Sequence, residues 1–318
     1  MLRRICAVTM TTLLIGATAA APATAGVVES TTTIESTVVD AETGEPVAGV
    51  CVLAGTPHHI RIPDGCRSMS DETGSVTIEV AEGGTYQLLA WPNEAHGYGA
   101  QWVGVNGGTG TQLQAARVRV PDGGTASGPL VRMDPAGTVT GTVTDSDGAA
   151  VPFGQVVAIQ EFLSLGQHHG WAPIEDGHYT FDELGPYDWP LLFRAGDDPD
   201  QWSGQAVNRH LAEGITVRAG ETVTYDYQLT TGTSVTISED DAPEAMFATA
   251  LNAQTGDRVG GWFLDPDFGI WTTQLLGAQP VKIQLRSGPD EGFVGGDDFA
   301  SATTFVIRPR GEQEISLG

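Results

Sequence analysis

Apolar and polar residues alternate in short runs along most of this chain, as in residues 75–80, 139–144 and 303–307. Alternation with a period of two puts every second side chain on the same face of an extended segment, which is typical of a half-buried β-strand. The 42 glycines and 18 prolines fall mostly between these runs and mark turns. Patterns with helical periodicity are almost absent. The chain is therefore predicted to be all-β and to form antiparallel β-sandwiches.

One order of elements occurs three times. Each copy has an Asp-rich turn with a glycine, a strand, a second apolar strand, and an aromatic corner residue with a glycine two positions later. The turn glycines are Gly74, Gly177 and Gly269, and the corner aromatics are Trp102, Trp202 and Phe293. The turn glycines are 103 and 92 residues apart, so each repeat has the length of a whole domain rather than of a solenoid unit. The predicted sandwiches span residues 26–135 (with a short flexible leader), 136–231 and 232–318, and the third is the most divergent.

Residues 1–25 are predicted to be a signal peptide rather than part of the fold. Two arginines give a positive start, residues 5–21 are mostly apolar, and small residues precede a cleavage site between Ala25 and Gly26. The apolar run is too short and too rich in Ala and Thr for a membrane span. We therefore expect a mature chain without a membrane span, secreted and either extracellular or associated with the cell envelope.

The chain is strongly acidic, with 40 Asp and Glu against 15 Lys and Arg and a formal net charge of −25. Phosphate contacts require cations, so this composition excludes a nucleic-acid or anionic-membrane partner. An acidic coat keeps an exported protein soluble, and Ca²⁺ binding is the alternative. The Asp-rich loops at 145–148 and 197–200 do not continue to a glutamate at the twelfth position, and the His-His pairs at 58–59 and 168–169 lack a third ligand at a defined spacing. No metal is predicted.

Cys51 and Cys66 are the two cysteines that remain once the predicted signal peptide is removed. An even number of cysteines in an exported chain predicts a disulfide bond. Closing a loop of this size would stabilise the fold by roughly 3 kcal/mol through the entropy of the unfolded chain.

The opening segments of the first two copies share a longer motif. Residues 141–157 read GTVTDSDGAAVPFGQVV and residues 37–50 read TVVDAETGEPVAGV, while residues 250–259 of the third copy match only loosely. This G-x-V-x-D-x-x-G-x-P-hydrophobic pattern resembles the opening of carboxypeptidase regulatory-like domains, although in the second copy the proline follows the valine. The Gln-Trp-x-Gly corners at 101–104 and 201–204 resemble those of secreted actinobacterial members. The resemblance covers nearly the whole mature chain. It implies a prealbumin-like (Ig-like) sandwich in each copy, shared with collagen-adhesin B-type repeats and related to the carbohydrate-binding-like fold.

The resemblance implies accessory domains without chemistry of their own. The chain also has neither a G-x-S-x-G motif nor an H-E-x-x-H helix. We predict a non-enzymatic scaffold that needs no cofactor and interacts with an extracellular protein or glycan. The alternative is a carbohydrate-binding protein of a starch- or glycan-degrading system.

Trp102, Trp202 and Phe293 are the candidate ligand-binding residues, because they occupy the same corner of each copy. Aromatic rings can stack on the CH faces of sugars. Alternatively, each ring can cap its own sandwich, in which case its loss would destabilise that copy and leave the others near their normal stability. The repeat is compatible with both interpretations, and we expect each tryptophan to cap its own sandwich.

Lys282 is the only lysine of the chain. Collagen-adhesin B-type repeats often carry a Lys-Asn isopeptide bond whose lysine lies in the opening strand, whereas Lys282 falls in a middle strand. No isopeptide bond is therefore predicted.

Overall fold

The computed structural model describes residues 31–56, 66–159, 170–196, 198–238, 246–264, 272–287 and 290–317. The regular structure of these residues consists of β-strands and one short 3₁₀ turn, Gln112–Gln114, and they belong to one compact unit, Thr31–Gly318. The predicted all-β class is confirmed. None of the described residues forms a helix long and apolar enough to cross a membrane. The predicted signal peptide and its cleavage site lie outside the described residues and stay predictions.

Two sheets form the first sandwich. Its strands are β1 (Thr32–Asp40), β2 (Cys51–Gly55), β3 (Ser75–Val80), β4 (Gly84–Trp91), β5 (Gln101–Val103), β6 (Gly108–Thr109), β7 (Val118–Val120), β8 (Thr125–Ser127) and β9 (Val131–Met133). One sheet has the order β3-β1-β8, and β9 also pairs with β1. The other has the order β2-β4-β5-β6, and β7 also pairs with β4. The inner faces enclose a core that includes Ile34, Val38, Leu88 and Val131.

In the second sandwich most strands belong to a single hydrogen-bonded sheet, whereas the first sandwich has two sheets. Its strands are β10 (Gly137–Thr144), β11 (Phe153–Val157), β12 (Trp171–Glu175), β13 (His178–Leu184), β14 (Asp188–Trp189), β15 (Leu192–Ala195), β16 (Gln201–Trp202), β17 (Ile215–Thr216), β18 (Thr222–Thr224) and β19 (Tyr227–Gln228). Strand β12 pairs with both β11 and β13, which joins the two layers into one hydrogen-bonded sheet of order β16-β15-β11-β12-β13-β10-β18. Strand β19 pairs with β10, and β14 pairs with β17.

The third sandwich again has two sheets. Its strands are β20 (Thr233–Ser238), β21 (Met246–Asn252), β22 (Arg258–Leu264), β23 (Thr272–Leu275), β24 (Pro280–Ser287), β25 (Asp290–Phe293), β26 (Phe305–Val306) and β27 (Gly311–Ser316). The sheet orders are β23-β20-β27 and β22-β21-β24-β25, and β26 also pairs with β24. Val235, Val281 and Ile283 lie in its core.

The three sandwiches share their strand pairing. In each one the opening strand (β1, β10 or β20) pairs antiparallel with β3, β13 or β23, and parallel with a closing strand. The middle strand (β4, β15 or β24) lies between the second strand and the corner strand, and both pairings are antiparallel. The predicted tandem sandwiches are therefore confirmed. The residue boundaries given above for the three domains stay predictions.

The repeated turn glycines have a conformational reason. Gly74 and Gly177 have φ angles of +74° and +79°, a backbone region that residues with a Cβ rarely adopt. In the first copy, Asp71 closes the turn by accepting hydrogen bonds from Thr73 N (2.8 Å) and Ser75 N (3.0 Å). The strand that pairs with the opening strand follows directly after this turn.

Candidate functional site: corner residues and sandwich junctions

The corner tryptophan of the first sandwich lies on the outer face of its sheet. Trp102 is opposite Leu89 on β4, and Leu89 is opposite Leu53 on β2, so the three side chains form a row across the sheet. All three are at most 5% exposed. They belong to the same continuous apolar cluster as Trp189 and Leu191 of the second sandwich. The row is thus buried at the junction between the first two sandwiches.

The 3₁₀ turn after β6 covers part of this face. Gln87 on β4 donates through Nε2 to the carbonyl oxygens of Gln112 (2.8 Å) and Ala115 (3.1 Å), which fixes the turn over the sheet. Just before the turn, Gly110 lies so close to the second sandwich that a Cβ there would be 2.3 Å from the carbonyl oxygen of Asp188. A side chain at position 110 would therefore force the two sandwiches apart.

The glutamine of the Gln-Trp motif holds the end of the first sandwich. Gln101 is fully buried and donates through Nε2 to Arg132 O at 2.7 Å. Its Oε1 lies 2.5 Å from the hydroxyl of Tyr187 in the second sandwich, and that hydroxyl is also 2.5 Å from Oδ2 of Asp134. Burial and the hydrogen bond to Asp134 raise the pKa of Tyr187, so its phenol stays protonated and remains a donor.

The backbone also crosses this junction. Ala100 N donates to Glu183 O at 2.7 Å, and Gly185 N donates back to Ala100 O at 2.9 Å. A Cβ on Gly99 would lie 2.4 Å from the backbone of Gly185, so this approach requires a glycine. Paired backbone groups at a domain boundary resist separation, because breaking the hydrogen bonds leaves both the donors and the acceptors without their partners.

The second corner repeats the arrangement of the first. Trp202 is opposite Leu192, and Leu192 is opposite Val157, and this row is also buried. Trp202 is 2% exposed and packs in a cluster whose members all belong to the second sandwich. Gln201 donates to Thr230 O at 2.7 Å, as Gln101 does to the end of its own sandwich.

A polar contact joins the second corner loop to the third sandwich. Arg209 forms an ion pair with Asp257 and donates to Thr255 O at 3.2 Å. Asn208 beside it donates to Oε1 of Gln254 at 3.2 Å. The Asp257 carboxylate is fully buried, so its charge depends on this arginine for compensation.

The third corner departs from the other two. Its row consists of Thr249, Gln284 and Phe293, so two positions that are aliphatic in the first sandwiches are polar here. Phe293 is half-buried, and Gly292 stands where the other copies have the buried glutamine.

Lys282 has a structural role in this third corner. Its Nζ donates to Phe299 O (2.5 Å) and Ala300 O (3.0 Å) of the corner loop, and it lies over the Phe299 ring. The lysine takes in the third sandwich the place that Gln87 has in the first, holding the loop over the outer face of the sheet.

The structure separates the three candidate aromatics. Sugar stacking needs an accessible ring face, so the burial of Trp102 and Trp202 favours a packing role, while ligand binding by the three corner aromatics stays a prediction. The cluster around Trp102 includes residues of its own sandwich and continues into the second, so this ring packs against two copies rather than one. Gln101 and Gln201 were not predicted to be functional, although their position before each tryptophan could have indicated it.

The carboxylates of Asp145 and Asp200 in the Asp-rich loops have partners within the protein. Asp145 accepts hydrogen bonds from Asp147 N (3.0 Å) and Ala149 N (2.9 Å), and Asp200 pairs with Arg194 at 2.7 Å. Within the described ranges, no group of three or more His, Cys, Asp or Glu side chains could hold a metal ion. The two His-His pairs and Asp197 lie outside the described residues.

No family model matches this chain, and no curated protein matches it. Several solved structures are similar to it at low identity. The Bacillus anthracis TIE protein is 14% identical with a TM-score of 0.25, over 90% of this chain and 50% of that one. A streptococcal ancillary pilin is 13% identical with a TM-score of 0.24, over 62% of each chain. Two B repeat units of the collagen binding protein of Staphylococcus aureus are 12% identical with a TM-score of 0.19, over 82% of this chain and 70% of that one. This chain thus spans half the length of the TIE protein and 62% of the pilin.

The predicted disulfide between Cys51 and Cys66 is confirmed. Cys51 begins β2 and belongs to the apolar cluster of the first junction. We expect Cys51→Ala/Cys66→Ala to lower the free energy of unfolding by about 2 to 4 kcal/mol, because the unfolded chain loses its cross-link. Urea denaturation measures this loss, and chemically reduced wild-type protein separates the cross-link from the packing of the sulfur atoms. An unchanged midpoint, or stoichiometric thiol labelling of the untreated protein, would contradict the expectation.

Proposed function

We propose that this protein is a secreted, non-catalytic scaffold of three carboxypeptidase regulatory-like sandwiches that acts outside the cell or at the cell envelope. The observation that carries the proposal is the burial of Trp102 at the first junction, in an apolar cluster that continues from one sandwich into the next. A corner residue used in this way joins modules. It supports a protein whose function depends on the fixed arrangement of its sandwiches.

The physical chemistry of the junctions favours a stiff array. Domains within a chain usually move relative to one another unless their interface is extensive and apolar. Here the first interface combines a shared apolar cluster with the contacts of Tyr187 and with paired backbone groups. The second interface contains the Arg209–Asp257 ion pair. Burial of each large apolar side chain contributes roughly 1.5 to 3 kcal/mol, so a few such residues suffice to hold neighbouring sandwiches together.

The shifted carboxylates support a non-catalytic role. The pKa values are lowered for Asp40, Asp71, Asp226 and Asp298. For Asp40 the largest cause is a hydrogen bond from Thr43 N, and its pKa falls to about 2. General acids and bases work best with a pKa near the operating pH. The lowered values come from hydrogen bonds, the largest of which lie within turns for Asp40, Asp71 and Asp298 and reach Thr142 on β10 for Asp226. Such values indicate carboxylates that stabilise structure instead.

Fixed junctions predict a measurable dynamic result. We expect ¹⁵N relaxation of the purified protein to give one rotational correlation time for the amides of all three sandwiches. Gly110→Leu should give the first sandwich a shorter time than the others, because the new side chain meets Asp188 across the junction.

Gly107→Leu is the matched control for this experiment, since a Cβ at residue 107 would have no atom within 4 Å. That variant should relax like the wild type. Separate and shorter correlation times for the three sandwiches of the unaltered protein would refute the stiff scaffold.

A further inference from the structure

The outer face of the third sandwich carries an open arrangement of aromatic and hydrogen-bonding side chains. Phe247 on β21 is opposite Arg286 on β24, and Arg286 is opposite Glu291 on β25. The next row on the same face is Thr249, Gln284 and Phe293. We refer to these six residues as the β21–β25 platform.

The platform is accessible to a ligand. Phe247 is 52% exposed, Arg286 and Glu291 are exposed, and Gln284 and Phe293 are half-buried. In the first two sandwiches the equivalent second row is fully apolar and buried, as described above for Trp102 and Trp202. The third copy therefore keeps an aromatic corner while replacing the aliphatic neighbours with groups that form hydrogen bonds.

Two polar groups of the platform are already hydrogen-bonded to each other. Gln284 donates through Nε2 to Oε1 of Glu291 at 2.5 Å, which orients both side chains on the surface. The ring of Phe293 packs edge-on against Phe299, with ring centroids 6.1 Å apart. Side chains that are held in place before binding lose less conformational entropy when a ligand arrives.

We propose that the β21–β25 platform binds a neutral glycan chain. Phe247 and Phe293 stand two strands and two residues apart, about 12 Å on the lattice of a β-sheet, so they can stack on different sugar rings of one chain. Between them, Arg286 supplies donors, Glu291 supplies acceptors and Gln284 supplies both for sugar hydroxyls.

Charge selects the neutral glycan over two other occupants. The chain carries a formal net charge of −25, so a second copy and an acidic polysaccharide both meet electrostatic repulsion. A neutral glycan has no such penalty. The mixed composition of the platform also fits a polar chain with apolar CH faces better than it fits the wholly apolar contacts seen at the first two corners.

Affinity electrophoresis of the purified protein tests the proposal. The gels contain soluble starch, hydroxyethyl cellulose, laminarin or glycol chitin as neutral probes, and alginate as the acidic probe. We expect retardation by at least one neutral probe and none by alginate. Phe247→Ala and Phe293→Ala should each weaken binding to that probe roughly tenfold or more, because each removes the apolar contact of one ring.

Phe153→Ala is the matched control, since Phe153 is an exposed phenylalanine of the second sandwich, 69% accessible, and should bind like the wild type. Phe293→Tyr keeps an aromatic ring and should bind like the wild type. It replaces Phe293→Ala as the test of this position if thermal melts show that the alanine variant is poorly folded.

Absence of retardation by every neutral probe, or equal retardation of all variants, would overturn the proposal. So would sedimentation data showing that Phe247→Ala abolishes self-association, because the platform would then bind a second copy. The relaxation experiment tests the scaffold separately, so either idea can fail without the other.

Discussion

Replacing Trp102 by alanine is expected to lower the free energy of unfolding by about 3 to 5 kcal/mol, the range for large aromatic side chains removed from a core. The ring is 5% exposed and lies in a row with Leu53 and Leu89. Its removal leaves a cavity that the surrounding strands can fill only in part. Urea denaturation followed by intrinsic fluorescence and by circular dichroism measures the loss.

The location of Trp102 predicts which parts of the protein respond. Because its cluster includes Trp189 and Leu191, we expect Trp102→Ala to reduce the hydrogen-exchange protection of both the first and the second sandwich. Phe153→Ala removes an exposed ring of the second sandwich and should change the stability by less than about 0.5 kcal/mol. Loss of protection confined to the first sandwich would show that the junction does not couple the two. Unchanged stability would show that the ring is not part of a core.

Asp257→Ala is expected to destabilise the protein by about 3 to 5 kcal/mol, because it leaves the guanidinium of Arg209 in a largely buried site without its counter-charge. Arg209→Ala should have an effect of similar size, since it isolates a carboxylate with no exposed surface. The loss should appear as weakened protection of the third sandwich together with the corner loop around Asn208. Chemical denaturation and hydrogen exchange measure the two effects.

Two further variants separate the effect of breaking a buried ion pair from the effect of removing a charge at the surface. Glu221→Ala breaks the pair between Arg218 and Glu221, whose side chains are 70% and 59% exposed, and should alter stability by no more than about 1 kcal/mol. The double variant Arg209→Met/Asp257→Leu removes both charges and should be more stable than either single alanine variant. If Asp257→Ala behaves like Glu221→Ala, the ion pair does not hold the second junction.

The sequence predicted the fold because local residue patterns specify its strands and turns. Alternating runs such as residues 139–144 identify strands, and Val139 and Val143 are indeed both fully buried on one face. Turn glycines such as Gly74 and Gly177 mark positions where positive φ is required. Recurrence of these elements in one order was sufficient to predict three tandem sandwiches.

The candidate site was predictable only in part. The corner positions were found because they recur, but the roles of Trp102 and Gln101 depend on Tyr187 and other groups of a different sandwich. One local signal for the burial of both faces was present. Residues 88–91, Leu-Leu-Ala-Trp, are all apolar, whereas a strand with one solvated face would alternate.

The sequence by itself determined the all-β class, the three tandem copies, the Cys51–Cys66 disulfide and the residues that share each face of a strand. Only the tertiary structure decided what packs against those faces. Periodicity fixes the direction of a side chain relative to its own strand, but burial depends on contacts between residues far apart in sequence. The equivalent corners therefore have different environments. Trp102 is buried at a junction, Trp202 packs within its own sandwich, and Phe293 remains half-buried as part of the open β21–β25 platform.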